Sequence, residues 1–187
     1  MDVEKQLDIK DTIYKLNTLL PQDIAIIDLY RVSGTAHARF DAISRSYEYR
    51  LTSLKDPFET DTSFYFRQPL ELTEMNNACR LLLGDRDFKS FCKSRTSVDN
   101  FNCIVREAYW KTHNGRSCFF VSANRFLRGM VRALVGTMLD IGTGKITVDQ
   151  FKEILESGDR RTAGRSVPAH GLFLTRVKYS RKILDRT

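Results

Sequence analysis

Four prolines and ten glycines in 187 residues exclude collagen-like and low-complexity architectures, and no apolar run approaches the roughly 20 residues of a membrane-spanning helix. The longest candidate, Val131 to Leu139, is broken at once by Arg132. Cys79, Cys92, Cys103 and Cys118 form no Cys-x-x-Cys pair, and His37, His113 and His170 are scattered, so the chain reads as metal-free. The first residues, Met-Asp-Val-Glu-Lys-Gln, lack the apolar stretch of a signal peptide. The reading is a cytoplasmic protein whose four thiols are reduced core fillers. Nucleotide-binding glycine loops and nucleophile elbows are also missing. Gly142-Thr143-Gly144-Lys145 lacks the earlier glycine of a phosphate-cradling loop and follows a helix, so it reads as a helix-ending turn.

What the chain does have is apolar content and positive charge. With 42% hydrophobic residues it can bury a core, and it is net +7. The charge is uneven. Residues 1–60 hold 8 Lys and Arg against 10 Asp and Glu, whereas residues 61–187 hold 22 against 13. The window Phe88 to Arg132 carries nine basic residues and only Asp99 and Glu107 as acids. Such a localised excess is either a solvated basic face or the footprint of a nucleic acid.

Periodicity orders the elements. Asp11 is placed to cap a short helix bearing Ile13, Leu16 and Leu20 and stopped by Pro21. The β-rich run Ile24 to Val32 follows. Ser44 to Thr52 alternates, with Arg45, Tyr47, Tyr49 and Leu51 on one face. Asp56-Pro57 marks a loop, and Thr73 is placed to cap a helix through Met75, Cys79 and Leu82 that closes at Gly84. Val105 to Lys111 and Ser117 to Ala123 flank His113-Asn114-Gly115, a hairpin signal. From Asn124 onward Phe126, Leu127, Met130, Val131, Leu134, Val135, Met138 and Leu139 predict a largely buried helix, with Arg125, Arg128 and Arg132 sharing a face. Thr147 and Gln150 form a capping box for a further helix to Gly158, and a last strand runs from Gly171 to Tyr179. The order α-β-β-α-β-β-α-α-β predicts an α+β fold, a mainly antiparallel sheet flanked by helices. A core-type helix at the very start, without the strand it would ordinarily follow, is the oddity.

Arg132 lies deepest in the apolar stretch, and a cation withdrawn from water needs an anionic partner. Spacing alone leaves that partner either a core carboxylate or a functional anion. Tyr47 and Tyr49 offer flat faces of the kind that stack on an unpaired base, worth roughly 1–3 kcal/mol per base, though alternating tyrosines also serve ordinary sheet packing.

Four segments carry a resemblance. His37-Ala-Arg-Phe-Asp-Ala with Arg45-Ser-Tyr-Glu-Tyr-Arg, Gly84-Asp-Arg-Asp-Phe-Lys-Ser-Phe91, Asn124-Arg-Phe-Leu-Arg-Gly-Met-Val-Arg-Ala-Leu-Val-Gly136 and Pro168-Ala-His-Gly-Leu-Phe-Leu174 occur in the order found in the tRNA pseudouridine synthase A (TruA) family. Together with Leu20-Pro-Gln-Asp-Ile24 and Ser94-Arg-Thr96, they make nearly the whole chain similar to it. The resemblance implies a pseudouridine synthase-like fold and a cofactor-free, metal-free isomerisation of uridine to pseudouridine in the tRNA anticodon stem-loop, by a homodimer. It also implies that a flipped target nucleotide is attacked by an aspartate. By motif match, Tyr47 packs against the target base, Arg132 pairs with that aspartate, and Leu172 belongs to an apolar wall. Lys89, Lys93, Arg95, Arg125 and Arg128 are candidate phosphate contacts on charge grounds.

One part of the pattern is missing. The family's aspartate sits in a Gly-Arg-Thr-Asp-x-Gly-Val-His motif upstream of the first helix, and these 187 residues hold no such motif. Residues 1–187 therefore read as the C-terminal domain of such an enzyme, inactive without an N-terminal domain that carries the nucleophile. The competing reading is a stand-alone RNA-binding module without catalysis.

Overall fold

The computed structural model describes residues 7–94, 99–113, 115–180 and 183. It divides into two compact units, one built from the described residues up to Ala42 with those from Tyr179 onward, the other from the described residues of Ile43–Lys178.

In the smaller unit, helix α1 (Ile9–Leu19) is capped by Asp8, whose side chain accepts from the Asp11 N–H at 3.1 Å. Asp11 is thus a first-turn residue, ion-paired to Lys15 at 2.7 Å, and not the cap. Ile24 to Val32 forms no extended strand. Its backbone has a side-chain partner instead, because the Asn17 amide accepts from the Ile26 N–H (2.7 Å) and donates to the Ile26 carbonyl (2.9 Å). Ile27 stands 91% exposed.

The larger unit holds the sheet. Strands β1 (Ala42–Thr52), β2 (Phe64–Tyr65), β3 (Gly84–Asp87), β4 (Asn102–His113), β5 (Arg116–Ala123) and β6 (Leu172–Tyr179) make up the six described strands, ordered β2-β1-β5-β4-β3 with β6 also on β1. The β1–β5, β4–β5 and β3–β4 pairs are antiparallel and the short β1–β2 pair is parallel. The fold is α+β with a mainly antiparallel sheet, as predicted. Tyr49 opposes Phe119 and Tyr47 opposes Val121 in the β1–β5 register. The hairpin signal is realised by β4 and β5 with Gly115 at φ 75°, whereas Asn114 lies outside the described residues.

Three helices cover one sheet face: α2 (Leu72–Leu81), α3 (Met130–Gly142) and α4 (Val148–Ser157). Met75, Cys79, Leu134, Met138 and Phe151 bury against Tyr49, Leu51, Trp110, Phe119 and Val121. Asn76 ties α2 to β4 through both backbone groups of Trp110, at 2.7 and 3.1 Å, and the indole N–H of Trp110 points to the Met138 sulfur at 3.1 Å. All four cysteines are free and buried, with burial pushing the Cys79 thiol up to about 12.

Three boundaries differ from the periodicity. Glu71, not Thr73, precedes α2, and no side chain caps it. Gly84 does not close that helix but opens β3, at φ 90°, opposite Val105. Helix α3 starts only at Met130, after Gly129 in the left-handed region (φ 77°). Arg125 and Arg128 therefore sit in a loop, and Arg132 alone of the three is helical. The apolar periodicity continues through that loop because Phe126 and Leu127 pack on the same core without helical backbone. By contrast, the Thr147–Gln150 capping box is present as read, and α4 ends at Gly158 in the left-handed region. Among the described residues no helix is long and apolar enough to cross a membrane.

Candidate functional site

Arg132 occupies the first turn of α3 between two buried neighbours, Val131 and Ala133. Its Nε donates to the Val167 carbonyl at 2.5 Å, and the Val167 N–H returns to the Arg132 carbonyl at 3.2 Å. Among the described residues no carboxylate pairs with its guanidinium. The group is half-buried and oriented by a neutral oxygen, with donors left over that no described carboxylate takes.

The loop that presents Val167 is held on α3 by close backbone approach. A Cβ at Gly136 would lie 1.8 Å from the Arg165 carbonyl oxygen, and one at Gly164 would lie 2.9 Å from the Thr137 Cα. Thr137 Oγ1 accepts from the Gly164 N–H at 2.9 Å and donates to the Ala133 carbonyl at 2.8 Å. Only glycine at 136 and 164 admits this contact. A glycine inside an apolar helical pattern is the sequence signal for such an approach.

Tyr49 continues the strap. Fully buried, it donates its hydroxyl to the Pro168 carbonyl at 2.8 Å. Burial raises its hydroxyl pKa and the nearby Arg132 charge opposes the shift. Gly171 lies against the Tyr49 ring, and its carbonyl accepts from the Arg50 N–H at 2.9 Å, which places Leu172 at the start of β6, half-buried against the core. Tyr47, two residues before Tyr49 on the same face, is half-buried and meets Phe126 edge to face, with ring centroids 5.0 Å apart at 87°. Arg132, Tyr47 and Leu172 are thus linked through Tyr49 and the run Val167 to Leu172. Tyr49 itself is no stacking platform, because none of its surface is accessible.

Asn124, one residue before Arg125, organises the loop that carries Phe126. Its Oδ1 accepts from the Ile104 and Arg125 N–H groups, both at 2.8 Å, and its carbonyl accepts from Arg45 Nη1 at 2.8 Å. Spacing gave no hint of that role. Of the other cationic candidates, Lys89 opens a short 3-10 turn (Lys89–Phe91), and the Lys93 N–H donates to the Arg128 carbonyl at 2.8 Å, which brings two of the basic loops side by side. Arg125 and Arg128 flank Phe126 in the Asn124 loop. Arg95 lies outside the described residues.

The tRNA pseudouridine synthase family model matches residues 78–180, a span that includes Arg132 and Leu172. The chain belongs to the tRNA pseudouridine synthase family. It is 45% identical over 169 residues to a tRNA pseudouridine synthase A of Parabacteroides distasonis, covering 90% of this chain and 67% of that protein. It is 48% identical to one from Porphyromonas gingivalis (88% and 66% covered) and 38% identical to one from Bacillus subtilis (89% and 68% covered). The chain therefore spans about two thirds of the length of these curated pseudouridine synthase relatives.

Proposed function

We propose that this chain supplies the C-terminal domain of a cytoplasmic, homodimeric tRNA pseudouridine synthase acting on uridines of the anticodon stem-loop without metal or cofactor. The observation that carries this reading is Arg132: a half-buried guanidinium, fixed by the Val167 carbonyl yet paired with no described carboxylate. An aspartate carried by a Gly-Arg-Thr-Asp segment outside these residues completes the ion pair and acts as nucleophile. Substrate and product are isomers. A carboxylate–sugar bond forms as the glycosidic bond to nitrogen breaks, the base turns, its carbon bonds to the sugar as the carboxylate leaves, and that carbon gives up its proton while the nitrogen gains one. No oxidant or reductant enters this balance.

The chain's own residues bind and orient in this scheme. Tyr47, steadied by Phe126, packs against the flipped base and offsets part of the few kcal/mol that unstacking costs. Leu172 supplies apolar wall, which excludes water and strengthens the Arg132 ion pair. Lys89, Lys93, Arg95, Arg125 and Arg128 neutralise tRNA phosphates. The test has two arms, both using unmodified tRNA. The purified 187-residue chain yields no pseudouridine, and the chain joined to an N-terminal domain bearing the aspartate motif does. Conversion by the chain alone refutes the divided site, and inactivity of the joined protein refutes the assignment of activity.

A further inference from the structure

Arg160, like Arg132 and Arg125, is a half-buried guanidinium without a carboxylate partner among the described residues. Its three hydrogen bonds go to neutral acceptors and leave the Nε donor and one of Nη2 over. Nη1 reaches the carbonyls of Ala163 (3.2 Å) and Gly164 (3.1 Å), and Nη2 reaches the Ser166 hydroxyl (3.2 Å). These bonds fix the group while leaving its charge in place, the state of a cation preorganised for an anion.

Arg160 lines a cavity of about 200 Å³ together with Lys89, Lys93, Ser94, Phe101 and Gly158. Three cations face it, and among the described residues no carboxylate lines it. Of the nearby acids, Asp159 is held by Arg161 at 2.7 Å while its charge also acts on Lys89, and Asp87 accepts the Lys89 backbone N–H at 2.6 Å. Gly158 ends α4 in the left-handed region (φ 62°), and the Lys89 stem lies at ordinary contact distance from it, a Cβ there standing 3.6 Å from the Lys89 Cδ. The Lys89 ammonium stands 5.8 Å from the centre of the Phe101 ring.

We propose that this cavity is a phosphate-binding subsite for an RNA strand, separate from the Tyr47 and Arg132 region, in which Arg160 and Lys89 grip one backbone phosphate. The segment Ala163 to Val167 joins the two places, because Arg160 donates to one end of it and Arg132 to the other. Four residues span at most about 14 Å, so the subsite holds the same strand a short distance from the nucleotide at Arg132. A phosphate here sets how far the strand runs past the target, and the site is blind to sequence. This inference rests on the tRNA reading above.

The experiment measures binding of unmodified tRNA to the 187-residue chain as a function of salt, for wild type, Lys89→Gln, the Lys89→Gln/Arg160→Gln pair and Lys152→Gln. Lys152 is exposed on α4 and does not line the cavity. Lys89→Gln lowers the slope of log affinity against log salt by about 1, roughly tenfold in affinity near 0.1 M salt, and the pair lowers it by about 2. Lys152→Gln leaves the slope unchanged. Lys89 is exposed, so its variant carries the test even if loss of Arg160 loosens the loop. A wild-type chain that binds tRNA with a slope Lys89→Gln does not alter overturns the subsite, as does an equal fall in Lys152→Gln. No binding by the wild-type chain overturns the RNA-binding reading and the subsite with it.

Discussion

Arg132 and Val167 hold each other in both directions, side chain to carbonyl at 2.5 Å and N–H to carbonyl at 3.2 Å. A guanidinium tethered in this way loses little entropy when an anion arrives, so the free energy of the ion pair goes into binding and orienting that anion.

In the joined, active protein, Arg132→Ala lowers kcat by about 10²-fold or more, in the range seen on removal of a preorganised electrostatic partner, and changes tRNA affinity less than threefold. Single-turnover kinetics and a binding titration separate the two. Equal losses in both would contradict a pairing with the nucleophile.

Gly136→Ala forces the Arg165 carbonyl away from α3, because the added carbon would stand 1.8 Å from that oxygen. Overpacking of this kind costs about 1–3 kcal/mol, read as a fall in the midpoint of thermal unfolding. Gly34→Ala, where nothing lies within 4 Å, stays within about 0.5 kcal/mol of wild type.

Asn124→Ala removes the acceptor of two backbone N–H groups, those of Ile104 and Arg125. The loss is about 1–3 kcal/mol. Hydrogen exchange shows it locally, with faster exchange at Ile104 and Arg125 and unchanged exchange in α4. Uniform acceleration across the unit would mean that Asn124 serves global stability and not this loop.

Arg161 beside Asp159 holds its carboxyl down to about 2. The folded value lies below the unfolded one, so the contribution to stability is present above about pH 4 and is lost as pH falls toward 2. Carbon-13 NMR of the Asp159 carboxyl should titrate near 2 in wild type and at higher pH in Arg161→Gln, which loses the guanidinium but keeps the backbone N–H bond to the carboxylate.

Much of this was legible because it is periodic or capped locally. The alternation of Ser44 to Thr52, the Asn-Gly hairpin signal and the Thr147–Gln150 box are each specified by a few adjacent residues. Ile24 to Val32 misled because β-branched composition says nothing about an available pairing partner, and the Asn17 amide took that place. The spacing from Asn124 predicts a start six residues before that of α3 because apolar spacing does not register a backbone turned by Gly129. For the site, residue type and motif singled out Arg132 and Tyr47. The Tyr49 hydroxyl and Asn124 were missed because their partners lie elsewhere in the chain: Pro168 is 119 residues from Tyr49, and Ile104 is 20 from Asn124.

The placement of β6 bears on when the site comes into being. This strand closes on β1, and Thr175 reaches the Ser46 carbonyl across 129 residues of sequence. At about 5–20 residues per second of synthesis, Tyr47 waits several seconds on the ribosome before Val167 to Leu172 exist to complete its surroundings. Loop closure over such a separation makes this a late folding step, so a nascent chain carries the strand with Tyr47 well before the residues that pack beside it are made.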